Sequence, residues 1–273
     1  MRVTLDARNV NEAIISSNLP IPKQQDIMEK LGGSVIFSKL DFRSAFWQLE
    51  LDKASRQMTI FNVNNKLYRY KRLTMGLKPA QGELNAALAP LFAHIPNAHL
   101  IHDDLIIGSQ NDEQHIHDLD QVLQAVESAG LTLNKTKCFF AASEIKFWGL
   151  ICNKDGIKPD PDKISALENL EIPKNRTELL SFLCMMQSNS DFIPQFARKA
   201  APLRELSKSQ GKFKWEKKHM DCFNDLLQEF REDTLVRYFD KNKPVFIFTD
   251  AHVTGLGAIL AQGDTIQTAN QST

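Results

Sequence analysis

Two adjacent acids, Asp103 and Asp104, lie inside the otherwise apolar run Leu100–Ile107. Two carboxylates in a strand-like run repel each other and lose hydration, so a stable fold keeps them only where cations or polar partners satisfy them. A second apolar run, Val35–Phe42, contains one further acid, Asp41. Three carboxylates from two strands suit a hard cation such as magnesium, which takes oxygen ligands and acts mainly on phosphates. The pattern therefore predicts a metal site.

Composition limits the class of protein. The chain has 273 residues and 42% hydrophobic content, enough for one large domain or two to three smaller ones. Lys+Arg and Asp+Glu both total 33, so the overall basic signature of many nucleic-acid binders is missing, although a local basic groove is compatible with zero net charge. Without a signal-like segment or a long apolar run, we expect no membrane contact and an intracellular location, cytoplasmic or nuclear.

Cysteine usage agrees with that location. None of the four cysteines shows CxxC spacing, and we expect reduced core residues; they are Cys138, Cys152, Cys184 and Cys222.

Apolar spacing in the first half predicts alternating strands and helices. Strands are expected at Val35–Asp41 and His99–Ile107, a helix at Ala80–Phe92, and a longer amphipathic helix between Asn111 and a stop at Gly130. The apolar face of the longer helix is predicted to contain Ile116, Leu119, Val122, Leu123 and Val126.

The second half is predicted to be mainly helical. A strand pair, Thr132–Asn134 and Ile145–Ile151, precedes it. Three helical pieces are expected between Asp160 and Phe230, separated by prolines. Two strands follow, Pro244–Asp250 and Gly255–Leu260, as the start of another domain.

Eight sequence blocks occur along the chain in an order that is typical of one protein family. They are Arg2–Asn11, Leu31–Gly33, Phe37–Gln48, Arg72–Ala80, Gly130–Cys138, Phe147–Gly149, Asp155–Lys163 and Phe248–Ala258. In this order they resemble the reverse transcriptase of gypsy-class LTR retrotransposons, and more distantly retroviral Pol polyproteins, over nearly the whole chain. Arg2–Asn11 looks like a strand of the fingers in that family.

The resemblance implies an α+β fold, a right-hand polymerase with fingers, palm and helical thumb, followed by a truncated RNase H-like α/β start. Residues 1–156 would form the palm and N-terminally truncated fingers, 157–240 the helical thumb and connection, and 241–273 an incomplete RNase H-like domain. The implied activity is RNA-directed DNA polymerisation, the addition of dNTPs to a primer 3′ end on an RNA or DNA template.

The resemblance also assigns the acids. Asp41 and Asp103 would hold two Mg²⁺ ions, with Mn²⁺ as a substitute, and Asp104 would play a weaker, supporting part in catalysis and metal binding. In such a site one cation activates the 3′ hydroxyl and the other holds the triphosphate.

Other blocks imply contacts with substrates. Arg2 would contact the triphosphate, Phe46 would be the aromatic gate that excludes a 2′ hydroxyl, and Met75 would lie beside the nucleotide. Trp148 and Gly149 resemble the primer grip.

Departures from the family pattern limit the expected activity. Ile101 stands where Tyr is usual, and the fingers strand that supplies a triphosphate-binding Lys does not precede Arg2, so polymerase activity is expected to be weakened. Asp250 is one acid of a four-acid RNase H site, and one carboxylate cannot hold two cations, so no RNase H activity is expected.

Alternatives remain open at this stage. The chain could be a catalytically weak or dead element-derived protein that binds nucleic acid or protein, or a decayed reading frame, and it could work as an oligomer or beside further Pol segments. Three histidines could suggest a transition-metal site, although solvent exposure is favoured; they are His102, His115 and His117. A basic cluster with Phe213 and Trp215 interleaved fits either a phosphate contact or a solvated helix start; its members are Lys212, Lys214, Lys217 and Lys218.

Overall fold

The computed structural model describes residues 5–15, 24–168, 170–209, 211, 213–231, 235–240, 242–252 and 255–265. The chain divides into two compact units, Met1–Ile145 and Lys146–Thr273. No helix in the described part of the chain has both the length and the apolar character that a membrane crossing requires.

The first unit alternates helices and strands. Its helices are α1 Arg8–Ala13, α2 Gln24–Leu31, α3 Ala45–Gln48, α4 Ala80–Phe92 and α5 Asp112–Ser128. Its strands are β1 Ile36–Asp41, β2 Ile60–Val63, β3 Lys66–Arg69, β4 Ala98–Ile101, β5 Asp104–Ser109 and β6 Phe139–Ala142. Short 3-10 turns lie at Ser55–Thr59 and Lys135–Lys137.

A four-stranded antiparallel sheet in the order β4-β5-β1-β6 forms the centre of this unit. Because side chains alternate across a strand, Leu40 and Leu105 face α4 and α5, and Lys39 and Asp41 face the opposite side. The fully buried residues packed between sheet and helices include Leu40, Leu84, Leu88, Phe92, Leu105, Ile107 and Val122.

Several predicted elements of the first unit are confirmed. The strand before Asp41 and the helix Ala80–Phe92 form as expected. Helix α5 begins after Asn111, whose side chain accepts a hydrogen bond from Gln114 N–H, and ends before Gly130, which has φ +64°. These boundaries follow from local capping chemistry.

Several predictions in this unit are wrong. The segment His99–Ile107, predicted as one strand, is divided into β4 and β5 by a turn at residues 102 and 103. Residues 8–13 form α1 rather than an extended fingers strand. In α5, Ile116 and Leu123 are exposed, whereas His115 and Asp118 are buried together with Val122 and Val126. The buried stripe is displaced around the helix because hydrogen-bond partners on the sheet satisfy His115 and Asp118. The expected solvent exposure of His115 is therefore also wrong, while His117 is exposed.

The second unit contains a small sheet, a helical section and a hairpin. Its strands are β7 Glu144–Phe147, which crosses the boundary between the units, β8 Leu150–Asn153, β9 Gly156–Pro159, β10 Val245–His252 and β11 Gly255–Gln262. Its helices are α6 Pro161–Glu168, α7 Arg176–Gln187, α8 Phe196–Lys199, α9 Ala201–Lys208 and α10 Lys217–Arg231.

The predicted strand Ile145–Ile151 is interrupted. Trp148 and Gly149 have φ values of +51° and +72°, so the chain turns between β7 and β8 instead of continuing. The expected partner segment is not paired with it either, because Leu133 bridges to Phe42. Left-handed backbone at Trp148 has no signature in the apolar pattern that predicted one strand.

The helical section has more pieces than predicted. The three expected helices form as α6, α7 and α10, with Asn175 capping α7. Two further helices, α8 and α9, follow Pro194 and contain Pro202 near the start of α9. The predicted strands near residues 245 and 260 are confirmed as β10 and β11.

Side chains in the second unit bear on the basic cluster and on the cysteines. Trp215 donates its indole N–H to Pro173 C=O at 2.6 Å and packs edge-on against Phe223, so its ring serves the helical core rather than an open stacking surface. Lys212 lies outside the described residues, and Lys214, Lys217 and Lys218 are exposed. All four cysteines are free thiols, but Cys184 is exposed and not the core residue expected.

Gly108 offers a test of packing around β5. A Cβ at this position would lie 2.8 Å from Leu31 Cδ2 and 2.7 Å from Ser34 Oγ. We expect Gly108→Ala to lower the free energy of unfolding by about 1–3 kcal/mol, because the strand would have to move away from Leu31. Urea denaturation of both proteins measures the difference. Gly211→Ala is the matched control, since a Cβ there meets no atom within 4 Å; equal losses in both variants would contradict the packing argument.

Candidate active site

The antiparallel register of β1 and β5 brings the acids together. Asp41, the last residue of β1, lies directly opposite Asp104, the first residue of β5. Side chains of facing residues in such a pair begin about 5 Å apart. Asp103 precedes β5 in the turn from β4, where His102 has φ +53°, and its C=O accepts a hydrogen bond from Phe42 N–H at 3.4 Å. All three carboxylates therefore lie at one end of the sheet.

Two lysines balance this charge unequally. Lys39 Nζ lies 2.7 Å from Asp104 Oδ2, and these side chains are only 19% and 17% exposed. Lys137 Nζ lies 3.7 Å from Asp41 Oδ2 and is largely exposed. Burial raises the pKa of Asp104, and Lys39 opposes that rise while Asp103 and Asp41 add to it. Asp104 is thus engaged in an internal ion pair, whereas Asp103 is exposed.

The donor chemistry of the site fits a hard cation only in part. Asp41, Asp103 and Asp104 offer oxygen ligands alone, the type that Mg²⁺ and Mn²⁺ prefer. Within the described residues, however, no three His, Cys, Asp or Glu side chains gather closely enough to form a ligand group. Lys39 holds the Asp104 carboxylate, so Asp41 and Asp103 fit as direct ligands better than Asp104 does.

Helix α3 places an aromatic residue just after β1. Ser44, with φ +51°, turns the chain from β1 into α3, and Phe46 packs partly against the core while part of it remains accessible. The amide of Gln48 anchors this turn: it accepts from Thr132 N–H at 2.8 Å and donates to Thr132 C=O at 2.9 Å and to Arg43 C=O at 2.8 Å. The position of Phe46 thus depends on Gln48.

Asn11 holds the loop that contains Met75. Its Nδ2 donates to Gly76 C=O and its Oδ1 accepts from Lys78 N–H, both at 2.7 Å. Gly76 has φ +94°, and a Cβ there would lie 3.2 Å from Leu5 C=O, so the loop runs close to the segment before α1. Met75 is half-buried in this loop.

Comparison with protein families identifies the chain. A family model for reverse transcriptase (RNA-dependent DNA polymerase) matches residues 1–152, more than half of the 273 residues. The chain belongs to the reverse transcriptase family. A second model, an RNase H-like domain found in reverse transcriptase, matches residues 215–270. Reverse transcriptases are nucleotidyltransferases that use divalent metal ions.

Curated relatives of this chain are retrotransposon polyproteins. It is 32% identical over 263 residues to the retrovirus-related Pol polyprotein from transposon 412 of Drosophila melanogaster, which covers 96% of this chain and 21% of that protein. It is 27% identical over 264 residues to the transposon Tf2-3 polyprotein of Schizosaccharomyces pombe, covering 96% of this chain and 20% of that one. The chain thus spans about a fifth of the length of these relatives.

Solved structures confirm the fold class. The foamy viral protease-reverse transcriptase in complex with double-stranded DNA superposes with a TM-score of 0.87 at 21% identity, covering 96% of this chain and 46% of that one. The same type of protein in complex with an RNA/DNA hybrid gives 0.81 at 20% identity, covering 94% and 35%. The α+β right-hand polymerase fold predicted for this chain is therefore confirmed.

The structure describes some of the expected substrate residues and not others. Arg2 lies outside the described residues. Trp148 and Gly149 form the turn between β7 and β8 in the second unit, where the Trp148 ring stacks on Phe147 at 4.8 Å. Asp250 lies in β10 opposite Gly257. The roles of these residues, and the division at residues 156 and 240, stay predictions.

Sequence reasoning missed three residues that contact a candidate site residue or the segment that carries one. Lys39, Gln48 and Asn11 all stand inside the family blocks, yet none was assigned a role. The position of Lys39 two residues before Asp41 placed it on the same face of β1, which was the available signal. Gln48 and Asn11 act on backbone groups distant in sequence, which no local pattern reveals.

Removing the cation beside Asp104 should make stability depend on pH. The folded-state pKa of Asp104 lies above its ordinary value, so the stability that protonated Asp104 contributes to the protein is lost as pH rises through that pKa. Lys39→Gln should raise this pKa further, because Lys39 opposes the rise. We expect the variant to have the same free energy of unfolding as wild type near about pH 4, and a free energy of unfolding lower by roughly 1–3 kcal/mol near about pH 7. Urea denaturation at both pH values measures this.

The double variant Lys39→Gln/Asp104→Asn is the control. Because it has no charge to strand at position 104, its deficit should not grow between the two pH values. A Lys39→Gln deficit of equal size at both pH values would show that packing, not the ion pair, is what Lys39 contributes.

Proposed function

We propose that this chain is the polymerase portion of a retrotransposon Pol polyprotein and adds dNTPs to a primer 3′ end on an RNA or DNA template. The observation that carries the proposal is the pairing of Asp41 with Asp104 at the sheet end where Asp103 forms the turn. Family membership supports the chemistry. The foamy viral relatives bind double-stranded DNA and an RNA/DNA hybrid, which supports a template and primer as partners here.

In this proposal Asp41 and Asp103 hold two Mg²⁺ ions, and Mn²⁺ can replace them. The bound ions would lower the pKa of the primer hydroxyl and neutralise the triphosphate. Asp104 supports the site indirectly, because its charge is balanced by Lys39 and it faces Asp41 across the strand pair. Positioning is most of this chemistry, so rigid strands suit the task.

Other residues would position the substrates. Phe46 gates the sugar, Met75 lies beside the nucleotide in the loop held by Asn11, and Arg2 contacts the triphosphate. Trp148 and Gly149 hold the primer terminus. Asp250 would belong to the RNase H-like part of the chain, which the second family model matches, and no RNase H cleavage is proposed. The intracellular compartment, an oligomeric form and cooperation with further Pol segments stay predictions.

Primer extension tests the proposal directly. We expect the purified protein with Mg²⁺ to extend oligo(dT) on poly(rA), and Asp103→Asn to be slower by roughly 100-fold or more, the scale on which preorganised electrostatic groups act. Asp120→Asn, an exposed acid on α5, is the matched control and should extend like wild type. Equal rates for wild type and Asp103→Asn would contradict the proposal that the chain is an enzyme. The alternative would then be nucleic-acid binding without catalysis, which is measured as salt-dependent affinity for a hybrid duplex.

Sugar selection tests the assignment of Phe46. We expect Phe46→Ala to reduce the preference for dNTPs over rNTPs by about 10- to 200-fold, because a missing side chain in a pocket changes discrimination on that scale. Single-nucleotide incorporation with each substrate measures the ratio. Trp47→Ala, which changes the adjacent exposed aromatic residue, should leave the ratio unchanged. Unaltered ribonucleotide rejection in an active Phe46→Ala enzyme would show that another residue is the gate.

A further inference from the structure

A buried polar network lies beneath the strands that bear the acids. Its members are Ser38 on β1, Ser109 on β5, and His115 and Asp118 on α5, and each is at most 2% exposed. Four polar side chains in this position are costly unless every hydrogen-bonding group is satisfied. The proposed function, which concerns the opposite end of these strands, gives them no role.

The network has a definite direction. Asp118 only accepts, and it receives the Ser109 hydroxyl at 3.0 Å as well as the amides of Asn97 and Gln114, each at 2.8 Å. Ser109 has given its one hydrogen to Asp118, so the 3.1 Å contact with His115 Nδ1 requires an Nδ1–H donor.

The same reasoning continues to β1. Burial lowers the pKa of His115, which favours the neutral ring, although Asp118 and Asp112 oppose the shift. A neutral ring with hydrogen on Nδ1 has a lone pair on Nε2. The Ser38 hydroxyl, 2.7 Å away, therefore donates to Nε2. The chain of bonds runs from Ser38 through His115 and Ser109 to Asp118.

Ser38 also compensates an irregularity in the sheet. Phe37 pairs with Ala142 and Lys39 with Phe139, so β6 has one residue more than β1 between these pairs. The N–H of Ala141, inside this bulge, donates to Ser38 Oγ at 3.0 Å. The network thus connects α5 to β1, β5 and β6, and through Asn97 to the segment just before β4.

These connections act on the acids through the strands. Ser38 stands three residues before Asp41, a distance of roughly 10 Å along a strand. Ser109 closes the other end of the β1–β5 pair, opposite Ile36. Apolar residues at these positions would pack against α5 without specifying one hydrogen-bonded arrangement, whereas a satisfied polar network does. A shift of β1 relative to β5 would displace Asp41 from Asp104.

We propose that His115 is a positioning residue, which links β1 to β5 through Ser38 and Ser109 and so holds Asp41 and Asp103 at the separation needed to bind divalent metal ions. This inference rests on the proposed function, because it assumes that these two carboxylates bind metal. It assigns His115 no contact with substrate.

A shorter side chain can cut one link at a time. In His115→Asn the amide can still donate to Ser109 but is too short to reach Ser38. The hydrogen bond from α5 to β1 is lost, while the one to β5 remains. We expect about 10-fold weaker Mn²⁺ binding, the lower end of the loss seen when groups that orient metal ligands are removed. Electron paramagnetic resonance, at a temperature well below the melting temperature, measures the affinity. His117→Asn changes an exposed histidine on the same helix and should bind Mn²⁺ like wild type.

Ser38→Ala breaks the same bond from the other side. Because Ser38→Ala also removes the acceptor of the Ala141 N–H, we expect a loss of Mn²⁺ affinity at least as large as that of His115→Asn. The double variant should be no weaker than Ser38→Ala alone, because both substitutions remove the bond between Ser38 and His115. A folded His115→Asn protein with wild-type Mn²⁺ affinity would overturn the positioning role alone. If Asp103→Asn binds Mn²⁺ as tightly as wild type, the proposed metal site and the positioning role fail together.

The hydrogen position on the His115 ring can be measured in the wild-type protein, without any variant. Long-range ¹H–¹⁵N correlation spectra distinguish the two neutral forms of a histidine ring. We expect His115 to carry its hydrogen on Nδ1 at neutral pH. An Nε2–H ring could not accept from Ser38 and donate to Ser109, so that result would overturn the proposed network.

Discussion

The pairing of β1 with β5 is the constraint on which the rest of the first unit depends. In its observed register Asp41 faces Asp104, and Leu40 faces Leu105 on the side that packs against α4 and α5. A slip of one residue would turn the whole strand over, placing an acid in the core and a leucine at the site. The same hydrogen bonds therefore maintain both the hydrophobic core and the arrangement of carboxylates.

Three acids at one end of a sheet are tolerated because their surroundings differ. Asp104 is held by Lys39 in a pair that is mostly shielded from water, Asp41 lies near the exposed Lys137, and Asp103 extends from a turn. Opposite charges nearby and partial solvation reduce the repulsion that a uniform cluster would suffer. The unequal surroundings give a physical reason for unequal roles among acids that look equivalent in the sequence.

Sequence patterns predicted the elements best where local chemistry decides them. These signals act within a few residues: the cap at Asn111, the stop at Gly130 and the apolar alternation before Asp41. The structure confirms the helix and the strand whose limits they predict. The pattern failed at Ile116 and His115, because a buried histidine requires partners on distant strands that hydrophobic spacing does not reveal. It also failed at Trp148, where one left-handed residue divides an apolar run.

The sequence by itself determined the family, the order of the main elements and the three acids that mark the candidate site, because ordered motifs and short-range periodicity are contained in the chain. Only the tertiary structure decided which partner each polar group takes: Lys39 for Asp104, Gln48 for Thr132, and Ser38 and Ser109 for His115. These contacts join residues of different elements, and their energy depends on burial and geometry that exist only after the strands and helices have packed.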